Sequence, residues 1–292
     1  MRLWSWLIAL VIGYGQSAAA IAEQRLAIII DDIGYNKTLS ERAARLPGAF
    51  TLAILPFTPN ATSSAELAHR QGKELMLHAP MSNLANLPLG AGGLYSNMGQ
   101  EAFMAVLRKN LDSLPLIKGV NNHMGSRLTQ EALPMSWVMT ELHNRGLYFV
   151  DSRTSAQTLA LETAQAHSVP SAKRDVFLDD DVNTEAVSQQ LDKALTIARQ
   201  KGSAIAIGHP YPSTLSLLEK IQPRLLQHQV NLVFVSQLLT PTAPALAKVT
   251  PPDRASSSYC PAPPQALWYR PPVEIPLMDT AAAVITDLLG AP

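Results

Sequence analysis

The 292-residue sequence contains one cysteine, Cys260. No intrachain disulfide can form, so packing alone must hold the fold. Cys260 lies in a proline-rich stretch without a neighbouring base, which argues against a nucleophilic role. An excess of one charge is also missing: 23 Lys and Arg balance 23 Asp and Glu. No basic stripe is interleaved with aromatics, which argues against nucleic acid and against a polyanion held by bulk charge. The sequence has no internal repeat. No glycine-rich phosphate loop follows the first strand-like segment, which runs instead into Asp31-Asp32-Ile33-Gly34.

Apolar residues make up 47% of the chain, enough for a sizeable core, and the length suits one large domain or two small ones. Arg2, the apolar run 3–15 and the small residues 17–20 read as a signal peptide over residues 1–20, cleaved near Ala20. The run is shorter than the roughly 20 residues of a membrane span, so no span is expected in the mature chain. An uncleaved anchor is the alternative. Either reading exports the protein to the periplasm or cell envelope. From about Thr240 prolines crowd the sequence and bar helix and central strand alike. Residues 241–292 read as an extended or disordered tail, with a short helix over 281–289.

Between these ends, in the domain 21–240, short apolar runs alternate with helical stretches. The runs 26–30, 51–55, 75–77, 119–122, 148–150, 176–178, 204–207 and 232–235 predict buried strands. Helices are predicted over 61–70 with Asn60 as cap, 99–114, from Pro134 to Gly146, over 185–200 with Asn183 or Thr184 as cap, and from Pro212 toward Leu225. Strands alternating with helices make this an α/β fold with a parallel sheet. Seven or eight such units fit an irregular (β/α) barrel. An open doubly wound sheet is the alternative.

The polar residues fall at strand ends. Asp31-Asp32, His78, His123, Asp151, the run Asp179-Asp180-Asp181 and His209 each follow an apolar run. In a parallel barrel those ends share one rim, where such enzymes build their sites. Asp181 is read as a helix cap, and His69, His143, His167 and His228 as surface or core residues beside helices. One carboxylate and two neutral imidazoles would give three ligands and leave a coordination position for water, as in catalytic zinc sites. The remaining aspartate and a third histidine suit the base and the acid of a hydrolysis.

These motifs resemble the divergent branch of the polysaccharide deacetylases, the NodB-like carbohydrate esterases. The resemblance covers residues 25–239 and rests on Ile28-Ile29-Ile30-Asp31-Asp32-Ile33-Gly34, Leu77-His78-Ala79-Pro80-Met81, Asn121-Asn122-His123-Met124-Gly125-Ser126, Val150-Asp151-Ser152-Arg153-Thr154 and Ile207-Gly208-His209-Pro210. It implies a barrel of about seven strands. It implies Asp31 as general base, Asp32, His78 and His123 as ligands of a divalent transition metal with zinc first, and His209 as general acid. Asp151 is a supporting residue. The family's short motif with both metal histidines is missing here, as is its arginine-proline-glycine motif, so Arg127 or Arg153 is expected to take the arginine's place beside Asp31. The implied activity removes acetyl groups from an envelope glycan. Two other readings stand beside it: a non-catalytic module that grips glycan or protein, and a metal hydrolase acting on another amide or on a phosphoester.

Neighbours on a strand point to opposite faces, so Asp31 and Asp32 can share the bowl only if the chain bends between them. Gly34 makes such a bend plausible.

Overall fold

The structure is a computed structural model, and it describes residues 23–239. The expected signal peptide and the proline-rich tail lie outside the described residues. Within them the strands are β1 Gln24–Ile33, β2 Phe50–Ile54, β3 Glu74–Met81, β4 Gly119–Met124, β5 Tyr148–Asp151, β6 Ser171–Lys173, β7 Val176–Phe177, β8 Ser203–Gly208 and β9 Val230–Val233. All pair in parallel in the order β6-β5-β4-β3-β2-β1-β8-β7, with β9 also on β1. The sheet is an incomplete barrel whose ends are the short β6 and β7. Seven of the eight predicted runs fall on the expected strands, those at 51–55 and 176–178 ending one residue beyond, and the eighth, 232–235, ends on the first residue of the helix Val235–Leu239. Strand β6 has no apolar run to betray it: it reads Ser-Ala-Lys.

The helices follow their sequence signals. Asn183 Oδ1 accepts from Glu185 N and caps Thr184–Lys201, and Gly202 ends it at φ 85. Gly146, at φ 65, ends Ala132–Arg145. The stretch from Pro212 breaks into two helices, Pro212–Leu218 and Gln222–His228. Asn60 precedes Ala61–Arg70 but does not cap it. Its amide donates instead to Gly34 O at 3.2 Å and Tyr35 O at 3.0 Å, pinning the loop after β1.

Both faces of the central strands are buried, and period-two alternation sorts them. In β1, Leu26, Ile28 and Ile30 pack outward against the helices. Ala27 and Ile29 face the barrel interior with Ala53, Met76, Tyr148, Val150, Ile205 and Ile207. The interior columns of β1, β3 and β8 with His209 run from a polar residue at one end through apolar residues to a polar residue at the other. At the lower end Glu74 Oε1 accepts from Thr51 Oγ1 at 3.0 Å, Tyr148 OH at 2.9 Å and Ser236 N at 3.2 Å, docking the helix Val235–Leu239 against the sheet. Gly119 stands beside Tyr148, where a Cβ would collide with the ring. At the upper end the same columns continue into Asp31, His78, Asn121, His123 and His209.

Candidate active site

Asp31 follows Ala27 and Ile29 on the interior face and is buried. Alternation would send Asp32 outward. Instead Asp32 adopts φ 56, in the left-handed region that non-glycine residues rarely enter, and the β1–β2 register slips between Ile30 and Ile33. This bulge turns the second carboxylate back over the bowl. Gly34 completes the turn at φ 124, where a Cβ would strike Thr58 Oγ1. Backbone strain of this kind persists only where its surroundings enforce it, and it concentrates at functional sites.

Strands β3 and β4 extend past the predicted ends to Met81 and Met124, and both histidines still reach the rim. Asp32 Oδ1 lies 3.3 Å from His78 Nε2 and 3.0 Å from His123 Nδ1, and those two nitrogens are 3.1 Å apart. Asp32 Oδ1 is buried yet accepts no hydrogen bond. The reason lies one residue further out. His78 Nδ1 is 2.7 Å from Asn121 Oδ1, while Asn121 Nδ2 donates to Asp31 Oδ1 at 2.8 Å. With its amide oxygen toward the ring, Asn121 accepts a hydrogen bond from Nδ1–H of His78, which leaves a lone pair on Nε2 in the neutral ring. Three donor atoms thus converge on one point, which is the arrangement a metal ion requires. The residues fit such an ion, and Asn121 supplies the outer contact that orients a ligating imidazole.

The electrostatics agree. Burial raises Asp31 above the usual carboxylate range and outweighs His78, His209 and Asn121, which pull it down. Burial would raise Asp32 too, but the imidazoles of His123 and His78 hold it well below that range. Burial alone would lower His78, and the charges of Asp31 and Asp32 overcome it and raise the ring. The Asp31–Asp32 side of the bowl therefore attracts positive charge, whether a proton or a metal ion.

His209 follows β8 and faces the same bowl, its Nε2 at 3.8 Å from Asp32 Oδ2. Asp179 fixes it. Asp179 Oδ1 is 2.9 Å from His209 Nδ1, and Oδ2 accepts from His209 N at 2.6 Å and Thr214 Oγ1 at 2.7 Å. Burial opposes the charge on His209, but the bond to Asp179 with the charges of Asp31, Asp179 and Asp32 raises the ring to about 9. Phe177 and Tyr211 flank the imidazole, with ring centroids 5.4 Å and 5.5 Å away.

Two of the three expected supporting residues, Asp151 and Arg127, fall outside the bowl. Tyr148 and Val150 face the interior, so Asp151 points out of it. There it accepts from Arg153 N at 2.8 Å and Thr158 Oγ1 at 3.1 Å and shapes the loop after β5. Arg127 lines a separate cavity with Tyr95 and Glu131. Arg153 borders the bowl, but neither arginine bonds or pairs with Asp31 among the described residues. Asn121 occupies that place. Asp181 accepts from Asn183 N at 2.9 Å and so sets up the helix cap one step before it. Three residues of the site were not singled out by sequence reasoning: Asn121, Asp179 as the partner of His209, and Arg174. For Asn121 a signal existed, since it lies two residues before His123 and so on the same face. The bowl opens into a cleft of about 430 Å³ lined by Asp31, His78, His123, Arg153, Arg174 and His209.

Residues 28–239 match the family described as divergent polysaccharide deacetylase. The chain is 38% identical over 231 residues to the uncharacterized protein YibQ of Escherichia coli, covering 79% of this chain and 72% of that one. It is 36% identical over 202 residues to an uncharacterized protein of Haemophilus influenzae, covering 68% and 71%. A crystal structure of an uncharacterized protein from Agrobacterium tumefaciens superposes with a TM-score of 0.71 at 27% identity, covering 75% of this chain and 91% of the other. With a parallel half-barrel and a family match across nearly all of it, the chain belongs to the divergent polysaccharide deacetylases.

Proposed function

We propose that this protein is a metal-dependent carbohydrate deacetylase of the cell envelope, which hydrolyses an N-linked or O-linked acetyl group on a glycan. The observation that supports it most is the convergence of Asp32 Oδ1, His78 Nε2 and His123 Nδ1 in an open cleft, with a buried carboxylate and an oriented imidazole beside them. Asp32, His78 and His123 would hold a divalent cation, zinc first. When bound, such an ion polarises the acetyl carbonyl and acidifies a water molecule.

Asp31 would take the proton of the attacking water. The bond from Asn121 fixes the orientation of this carboxylate. As the carbon–nitrogen or carbon–oxygen bond breaks, His209 gives a proton to the departing amine or alcohol. Asp179 engages Nδ1 and so leaves Nε2 to face the cleft. A ring raised to about 9 carries its proton at neutral pH, and a cation in the bowl would draw that value back toward neutrality. Tyr211, 41% exposed beside His209, offers a face for a sugar ring.

Acetate release from acetylated glycan fragments tests the reading. Release should stop with a chelator and return with added metal. His209→Ala should keep the metal and lose about 10²–10⁴ in rate on an acetamido sugar, but less on an activated aryl acetate, whose leaving group needs no acid. A protein that holds stoichiometric metal and releases no acetate from any glycan would be a binding module instead.

A further inference from the structure

The cleft contains two cationic side chains that this chemistry does not use. Arg174 is held in place. Its Nε donates to Ser152 O at 2.7 Å, its Nη2 to Arg153 O at 3.1 Å, and its guanidinium lies 4.9 Å from the Phe177 ring centroid. Arg153 is the opposite case. Its backbone is fixed in the left-handed region at φ 50 by the bond to Asp151, while its guanidinium makes no hydrogen bond or ion pair among the described residues. Both line the cleft that contains His78, His123 and His209.

Two guanidiniums brought together without an ion-paired carboxylate repel each other. Burial, and after it the charge of Arg153, lowers the pKa of Arg174 and outweighs the charges of Asp31, Asp151 and Asp180, which raise it. Such a pair becomes favourable when an anion enters between them. The anion must also tolerate Asp31 and Asp180, which line the same cleft. A singly charged planar carboxylate meets less repulsion there than a dianionic phosphate, and it matches the fork of a guanidinium. A cleft of about 430 Å³ lies within the usual ~300–1,000 Å³ of small-molecule sites.

Resting on the reading of the cleft as a glycan site, we propose that the acetylated sugar carries a carboxylate, gripped by Arg153 against the fixed Arg174. Arg153 thereby sets substrate specificity and takes no part in proton transfer.

Calorimetric titration of the metal-loaded full chain with N-acetylmuramic acid and N-acetylglucosamine, which differ by a lactyl carboxylate, tests this. The acid should bind about 10-fold to 100-fold more tightly, the effect of one charge-assisted hydrogen bond. Arg153→Ala should abolish that preference without changing affinity for the neutral sugar, and Arg153→Lys should keep part of it. Raised salt should weaken the acid alone. Equal affinities in the unaltered protein, a preference that survives in Arg153→Ala, or failure of both sugars to bind would each overturn the proposal. A preference that holds while no acetate is released would leave this inference standing and remove only the catalytic reading. Acetate release without any preference would do the reverse.

Discussion

The two ends of the barrel interior each bury carboxylate, and they are built on opposite terms. At the lower end Glu74 Oε1 receives three donors, from Thr51, Tyr148 and Ser236. At the upper end, among the described residues, Asp31 receives a single side-chain bond, from Asn121, and Asp32 Oδ1 receives none although it is buried. A buried polar group that is fully bonded rigidifies a fold, whereas one left short is costly unless something else completes it. On our proposal the lower acid is structural and the upper pair chemical, although both border the same barrel interior.

That contrast predicts separable losses. The largest concerns Asp31. Asp31→Asn should retain metal and fold and lose about 10²–10⁴ in deacetylation rate, because an amide cannot accept the proton of water. Full activity in this variant would move the base elsewhere.

Asn121→Ala comes next. It removes the outer contact that orients His78 and the bond that orients Asp31, so metal affinity should fall about 10-fold to 100-fold. Competition with a chelator measures this without reference to turnover. An unchanged affinity would make Asn121 a bystander.

The lower end should respond in stability alone. Glu74→Ala would leave the Thr51 and Tyr148 hydroxyls short of an acceptor, at about 1–3 kcal/mol for each group that water cannot reach. Urea unfolding should show the loss while metal per chain stays the same.

The smallest effect is at Tyr148. Burial, then the charge and bond of Glu74, raises its pKa well above 10. The folded state therefore holds this proton more tightly than the unfolded chain. Its contribution is complete below pH ~10 and is lost as pH climbs from there toward the folded value. Tyr148→Phe should flatten that alkaline decline relative to the unaltered protein. A slope that does not change would mean that the hydroxyl is solvated.

Much of the upper end was legible in the sequence. Apolar runs that stop at Asp31, His78, His123 and His209 gave both the strands and the rim. What could not be read depends on backbone detail or on weak strands. Nothing in Asp31-Asp32 announces that Asp32 takes φ 56 and escapes the alternation. Asp151 was placed in the bowl because it ends a strand, but parity with Val150 turns it away. The orienting role of Asp179 was hidden in a run of three aspartates after a strand of two residues, too short to carry a period. Arg174 follows β6, whose three residues have no apolar signal. The arginine expected beside Asp31 was sought at Arg127 and Arg153, while the bond comes from Asn121, a neutral amide that charge-based reasoning does not consider.

The division of labour between the two neighbouring aspartates is the central claim, and bound metal per chain in their asparagine variants tests it most directly. Both proteins would be purified without an affinity tag and analysed for divalent transition metals alongside the unaltered chain. Asp32→Asn should lose most of its metal, because it replaces the carboxylate of the three-donor cluster with a poorer ligand. Asp31→Asn should retain it. Metal lost from Asp31→Asn and kept in Asp32→Asn, or equal content in both variants and the unaltered chain, would contradict the assignment.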